Sequence, residues 1–77
     1  MRSKNTNPPY ISLPKKIWCK IRYYQQLYDI PKEMLAEQLG VQPRTLTNYD
    51  NNPENLTFGQ IDRFTKINNI YFTDLIS

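Results

Sequence analysis

Histidine is absent from the 77 residues, and cysteine occurs once, at Cys19. A zinc site built from cysteine and histidine is therefore excluded, and no disulfide can form within the chain. A thiol nucleophile at Cys19 would have no histidine to act as its base. We therefore expect Cys19 to be a small, partly buried apolar side chain.

Glycine is also scarce, with two residues, and no apolar run reaches the length that a signal peptide or a membrane span needs. These absences predict a cytoplasmic protein without membrane association. No glycine-rich phosphate loop is present, and a single domain of this size rarely encloses a substrate pocket. We expect neither enzymatic activity nor a bound cofactor or metal.

Acidic residues are missing from the first 22 positions, although the net charge of the chain is only +3. The cations of this stretch are Arg2, Lys4, Lys15, Lys16, Lys20 and Arg22. All seven acids lie between Asp29 and Asp74. Such an asymmetry is typical of a surface that faces a polyanion. The alternative is a surface that only keeps the protein soluble.

Apolar spacing predicts an all-α domain over residues 12–77, preceded by a flexible basic arm over residues 1–11. The first helix follows the cap Ser12 and runs to about Tyr28, where Pro31 prevents its continuation. Thr57 and Gln60 have the spacing of a capping box. The predicted later helices are residues 32–39, residues 43–50, a fourth helix that opens at the capping box, and a last turn over residues 72–76.

The same spacing predicts which side chains are buried. The expected core residues of helices two and three are Leu35, Ala36, Leu39, Leu46 and Tyr49. The fourth helix is expected to bury Phe58, Ile61, Phe64 and Ile67. The tyrosines of the first helix, Tyr23, Tyr24 and Tyr28, are expected in the core or an interface. We also expect positive φ angles among the asparagines of the loop over residues 51–55.

Residues 35–50 contain two short helices joined by one tight turn, which Gly40 permits because it can adopt a left-handed conformation. The second helix has an apolar back and a polar front. Its outward polar residues are Gln42, Arg44, Thr45, Thr47 and Asn48. This arrangement suits insertion into a DNA groove and predicts a helix-turn-helix motif.

These features resemble the lambda-type phage repressor and Cro family of helix-turn-helix proteins over residues 17–76. The resemblance lies in a basic first helix, Leu-Ala-x-x-Leu-Gly-Val at residues 35–41, Leu46, Asp50, and the asparagine-rich loop before a fourth helix. It implies a compact five-helix domain that binds double-stranded DNA at a palindromic operator as a homodimer. It also implies a transcription regulator of a phage or mobile element, located at the nucleoid.

The resemblance also assigns roles to individual residues. Lys32, at the start of helix two, would contact an outer base or a phosphate. The positions that read bases in the family are Pro43, Arg44, Thr47 and Asn48, with Gln42 and Thr45 beside them for phosphate or capping contacts. Backbone amides near Gln42 and Asn51 would meet phosphates. Arg2 and Lys4 of the arm would wrap the duplex or enter its minor groove.

Two further expectations concern contacts between helices and between copies. Many family members pair an arginine of helix one with the acid that ends helix three. The aligned position here is Gln25, so Asp50 is expected to bond either Gln25 or Arg22. Dimerisation is expected through helix five and residues 70–76.

The main alternative is a protein-interaction module that keeps this fold but binds a protein partner, such as an anti-repressor, a modulator or a phage-encoded inhibitor. The apolar surface for such a partner would come from Trp18, the tyrosines of helix one, and Tyr71 with Phe72. A second alternative is a DNA-binding fragment of a longer regulator.

Overall fold

The computed structural model describes residues 11–77. Of the predicted basic arm it describes only Ile11, so the candidate residues Arg2 and Lys4 lie outside the described residues. Over the described range the structure contains five α-helices and no strand. The helices are α1 (Leu13–Leu27), α2 (Lys32–Leu39), α3 (Pro43–Asn51), α4 (Phe58–Asn68) and α5 (Phe72–Ile76), with a short 3₁₀ turn at Pro53–Asn55. The all-α prediction is confirmed for this part of the chain.

The helix boundaries follow from local chemistry. The hydroxyl of Ser12 accepts the backbone N–H of Lys15 at 3.4 Å, so it caps α1 as expected. The Thr57 hydroxyl accepts the Gln60 amide and the Gln60 side chain accepts the Thr57 amide, which confirms the capping box of α4. Helix α3 ends one residue later than predicted, at Asn51.

Gly40 ends α2 with a φ of 72°, as the sequence predicts. A side chain here would be strained, and a Cβ would lie 3.2 Å from Nη1 of Arg63. The positive φ angles expected between Asn51 and Asn55 are not found, and Asn52 has a φ of −135°. They occur instead at Asp29 and Asn69, the turn residues after α1 and α4. The asparagine loop instead contains the 3₁₀ turn at Pro53–Asn55.

The core forms where all five helices meet. Helix α2 packs against both α3 and α4, while α5 packs mainly on α1. The predicted anchors of helices two and three are buried: Leu35, Ala36, Leu39, Leu46 and Tyr49. They are joined by Ile17, Trp18, Ile21, Ile30, Ile61, Phe64, Ile70 and Leu75.

Several burial predictions are wrong. Phe58 is 78% exposed and Ile67 is 53% exposed, so α4 buries a narrower face, centred on Ile61 and Phe64. A spacing of three residues drifts around a helix that has 3.6 residues per turn, and the ends of such a series leave the buried face. Cys19 is exposed, not partly buried.

Of the three tyrosines of α1, Tyr24 is half-buried and packs against the core, whereas Tyr23 and Tyr28 lie mainly at the surface. Tyr23 and Tyr28 are each about half exposed, and Tyr24 packs between them with ring centroids 5.2 Å and 5.7 Å away. Partial burial, followed by the Asp74 carboxylate, raises the pKa of the Tyr24 hydroxyl. The phenol therefore stays protonated at neutral pH, and the cluster covers one edge of the core.

Candidate nucleic-acid interface

The outward side of α3 is polar along its whole length, because its two apolar residues point inward. Leu46 and Tyr49 are buried at 2% and 6% exposure. The opposite side is formed by four exposed residues at helical spacings of three and four: Arg44, Thr47, Asn48 and Asn51. We call this set the α3 polar stripe. The structure therefore brings four of the predicted site residues onto one continuous surface.

Within residues 11–77, the side chains of Arg44, Thr47 and Asn48 form no hydrogen bond to other protein groups. Asn51 does, since its amide donates to the carbonyl oxygen of Thr47 at 3.3 Å. Three members of the stripe therefore keep their donors and acceptors free for a ligand. Arginine matches the acceptors of guanine, and asparagine matches the donor and acceptor of adenine, in the major groove.

The remaining predicted site residues lie around the start of α3. Gln42 is exposed and precedes the helix, but its side chain forms no capping hydrogen bond. Pro43 and Thr45 are half-buried. Lys32, the first residue of α2, is exposed and lines the same groove as Pro43 and Arg44. The groove thus brings Lys32 of α2 beside Pro43, Arg44 and Thr47 of α3.

This groove is open and has a volume of about 530 Å³. Its charged lining consists of the cations Arg22, Lys32 and Arg44 and the acid Glu33. Neither Arg22 nor Glu33 was among the site residues predicted from the sequence. Their presence depends on how α1 and α2 pack beside α3, which the local sequence pattern does not reveal. The groove is positive overall, but Glu33 weakens its attraction for phosphate.

Asp50 ties the C-terminal half of α3 to α1. Its Oδ1 accepts the indole N–H of Trp18 at 2.7 Å and Nε–H of Arg22 at 3.2 Å. Its Oδ2 accepts Nη2–H of Arg22 at 2.9 Å. The bond from Arg22 is the main cause that lowers the pKa of the Asp50 carboxyl, with Trp18 and the charge of Lys15 assisting it. The carboxylate is therefore ionised well into the acid range.

Of the two partners expected for Asp50, the structure selects Arg22. Gln25 bonds Nη1–H of Arg22 at 2.7 Å and donates its own amide to the Ile30 carbonyl at 3.2 Å. Gln25 therefore holds the arginine and does not replace it. Trp18 was expected to offer apolar surface to a protein partner, but it is only 3% exposed and packs edge-on against Tyr49 at 5.3 Å. A buried indole needs an acceptor for its N–H, and this signal could have indicated the bond to Asp50.

The cations of α1 divide between two sides of the helix. Arg22 bonds Asp50, and the charge of Lys15 also acts on that carboxylate, so both face α3. Lys16 and Lys20 instead line a depression beside Leu75 of α5. The basic stretch that is continuous in the sequence is therefore not one continuous surface in the fold.

Among the described residues no group of histidine, cysteine and acidic side chains could hold a metal ion. None of the helices within residues 11–77 is both long and apolar enough to cross a membrane. In comparisons with protein-family models, curated proteins and solved structures, the chain matches none of them. The geometry of the groove and the stripe is therefore the basis for assigning a function.

Proposed function

We propose that this protein is a sequence-specific DNA-binding transcription regulator of the lambda-type phage repressor and Cro type, and that α3 enters the major groove. The observation that carries the proposal is the α3 polar stripe, in which Arg44 and Asn48 are exposed one turn apart and form no side-chain hydrogen bond within residues 11–77. A short helix with two buried anchors and a row of free donors and acceptors can present several side chains to base edges at once.

The groove beside the stripe supports the same proposal. Lys32 and Arg44 are cations without an ion-pair partner in the described part of the chain. Lys32 lies next to Arg44 of the stripe, where a phosphate would flank a helix in the major groove. Asp50 and Arg22 hold the far end of α3 to α1, so the helix would reach DNA with little loss of freedom. We assign Lys32, Gln42, Thr45 and Asn51 to phosphate contacts and Arg44, Thr47 and Asn48 to base edges.

The experiment is a selection from a random duplex pool at about 50 mM and about 200 mM salt, followed by sequencing of the retained DNA. We expect a short motif that is recovered at low salt and lost at high salt, because each phosphate contact releases counterions. Recovery of no motif by a protein that is still helical would contradict the proposal.

Arg44→Ala is the sharpest variant for this assignment. It should weaken binding to the selected motif by about 1–3 kcal/mol and relax the preference at one base pair. Lys66→Ala is the matched control, because it also removes one positive charge but from α4, where Lys66 pairs with Asp62 at 2.9 Å. Equal losses in the two variants would show that Arg44 contributes only net charge.

A protein-interaction module is the second candidate, favoured by the exposure of Phe58 and Tyr71 at 78% each. Aromatic side chains are enriched in protein interfaces and rare on bare surfaces. Such an interface would respond little to salt, whereas binding to DNA would weaken steeply. The two salt concentrations of the selection therefore separate the two candidates.

A further inference from the structure

Arg22 keeps hydrogen-bond donors that the protein does not use. A guanidinium carries five N–H donors. Three of them are engaged: Nε–H and one N–H of Nη2 by the Asp50 carboxylate, and one N–H of Nη1 by the Gln25 side chain. The other two, one on each terminal nitrogen, form no hydrogen bond within residues 11–77. The side chain is 33% exposed, so a ligand can reach the guanidinium.

Arg22 also lines the groove beside the α3 polar stripe. It shares that groove with Lys32 and Arg44, which come from α2 and α3. Cations from three helices thus line one depression, and Glu33 is the one acid among its lining residues in the described chain. An anionic group of a ligand is therefore the chemistry that the free donors of Arg22 fit.

We propose that Arg22 binds a backbone phosphate of the DNA, in addition to holding Asp50. The contact rests on the proposed function, because it lies in the same groove. Guanidinium donors match the geometry of phosphate oxygens, and charge strengthens each such bond. Arg22 and Lys32 then contact the phosphate backbone from α1 and α2, while Arg44 reaches base edges from α3.

Arg22 is held in place before DNA arrives. Its three hydrogen bonds fix the guanidinium, and its Cζ lies 5.3 Å from the centre of the Trp18 ring, within the range of a cation–π contact. A long cationic side chain loses rotamer freedom when it binds, but here folding has already removed much of that freedom. Arg22 therefore offers a fixed phosphate contact, whereas the exposed Lys32 must be ordered on binding.

The Asp50 carboxylate makes this contact short-ranged. It offsets the guanidinium charge at a distance, so Arg22 adds little to the long-range attraction of DNA. Asp50 is not among the groove-lining residues, so it does not stand between Arg22 and a phosphate in the groove. At contact distance the directed N–H bonds remain, and they contribute to affinity.

The position of this arginine differs from the pattern that the family resemblance implies. The aligned position for the arginine is Gln25, which is not among the groove-lining residues, whereas Arg22, about one turn earlier on α1, is. Gln25 supports the arginine by accepting Nη1–H at 2.7 Å. The shift by one turn therefore adds a groove contact and retains the bond to Asp50.

Methylphosphonate scanning of the selected duplex tests the contact one phosphate at a time. Each replacement removes the charge of a single phosphate, and fluorescence anisotropy measures the affinity of the full chain. We expect one position at which the replacement weakens binding by the wild-type protein about tenfold and binding by Arg22→Gln less than about twofold. Such coupling at one phosphate indicates a direct contact, because a change in helix packing would affect all the duplexes alike.

Asp50→Asn is the matched control, since it removes the anchor of Arg22 but keeps the guanidinium. We expect this variant to retain the coupling at that phosphate. Absence of coupling at every phosphate overturns the proposal, and equal losses of affinity in the two variants would then assign Arg22 only to holding α3. A protein that selects no motif fails the proposed function and this contact with it, whereas a selected motif without the coupling fails this contact alone.

Side-chain NMR of Arg22 gives a second measurement that needs no substitution. The guanidinium N–H signals of Arg22 should shift when the selected duplex is added. They should shift less with the duplex that carries methylphosphonate at the coupled position. Signals that the selected duplex leaves unchanged would overturn the proposal.

Discussion

Helices α3 and α4 bury apolar residues in the same way but differ in the side chains that they expose. Each begins after an extended residue, and each buries apolar residues against α2 and the rest of the core: Leu46 and Tyr49 in α3, Ile61 and Phe64 in α4. Outward, α3 presents the polar stripe, whereas α4 presents Phe58 at its start and Ile67 at its end, with the charged residues Asp62, Arg63 and Lys66 between them. The two inner sides serve the fold in the same way, so the outer sides carry the functional difference.

The two helices are also held in place by different interactions. Asp50 fixes the end of α3 through charged hydrogen bonds from α1. Gln60 fixes the start of α4 by donating to the Leu39 carbonyl and to the Tyr49 hydroxyl, at 3.2 Å and 3.0 Å. The attachment of α3 therefore depends on ionisation, while that of α4 does not. This contrast separates a helix whose outer surface is polar throughout from one that also exposes apolar side chains.

The largest expected effect is on the free energy of unfolding, and it distinguishes a buried anchor of α3 from the exposed ring of α4. Leu46→Ala should lower the free energy of unfolding by about 2–5 kcal/mol, because it leaves a cavity at a position that is 2% exposed. Phe58→Ala should change it by no more than about 0.5 kcal/mol. Urea denaturation followed by circular dichroism measures both. Comparable losses would show that Phe58 belongs to the core.

The second effect is a pH dependence that is specific to α3. The folded-state pKa of Asp50 is lowered, so its contribution to stability is present above the unfolded pKa, near 4, and disappears as the pH falls through the lower folded value. Asp50→Asn should cost roughly 1 kcal/mol or less at pH 6, since the carboxylate is partly exposed and solvent screens it. At pH 2 the cost should be smaller, because the carboxylate is closer to protonation there.

Denaturation followed by the fluorescence of Trp18, the single tryptophan, measures this difference. Asp62→Asn is the control, because Asp62 belongs to an exposed pair with Lys66 on α4. A cost at Asp50 that stays unchanged between pH 6 and pH 2 would show that the ion pair does not hold α3 to α1.

The smallest effect concerns the acid in the groove beside the stripe. Glu33→Gln should tighten binding to any duplex about twofold to threefold at low salt, because a carboxylate near phosphate is removed. Glu37→Gln, one turn further along α2, removes the same charge outside the groove lining and should change the affinity less. Equal changes in fluorescence-anisotropy titrations would mean that DNA does not lie along this groove.

Much of the fold was predictable because it depends on local chemistry. Ser12, Gly40 and the pair Thr57 and Gln60 mark helix ends through hydrogen bonds and backbone conformations that neighbouring residues determine. The predicted burial of the α2 and α3 anchors was correct for the same reason, since a short amphipathic helix has one apolar side that can be buried. Of the side chains predicted to face outward from α3, Gln42, Arg44, Thr47 and Asn48 are exposed and Thr45 is half-buried, and their ligand remains a prediction.

The errors occurred where burial depends on distant residues. Phe58 and Ile67 continue an apolar spacing that is typical of a core helix, yet no neighbouring helix covers them. Trp18 and Asp50 are 32 positions apart, and only the packing of α1 on α3 brings the indole to the carboxylate. The groove residues Arg22 and Glu33 join the site for the same reason.

By itself the sequence determined the number of helices in the described chain, most of their ends, the inner sides of α2 and α3, and the polar character of the stripe. Each of these follows from residues within about one helical turn of each other. Only the tertiary structure decided that Arg22 rather than Gln25 bonds Asp50, that the basic residues of α1 separate onto two sides, and that Phe58 lies exposed. These depend on how helices pack, and packing brings together residues that are far apart in the chain.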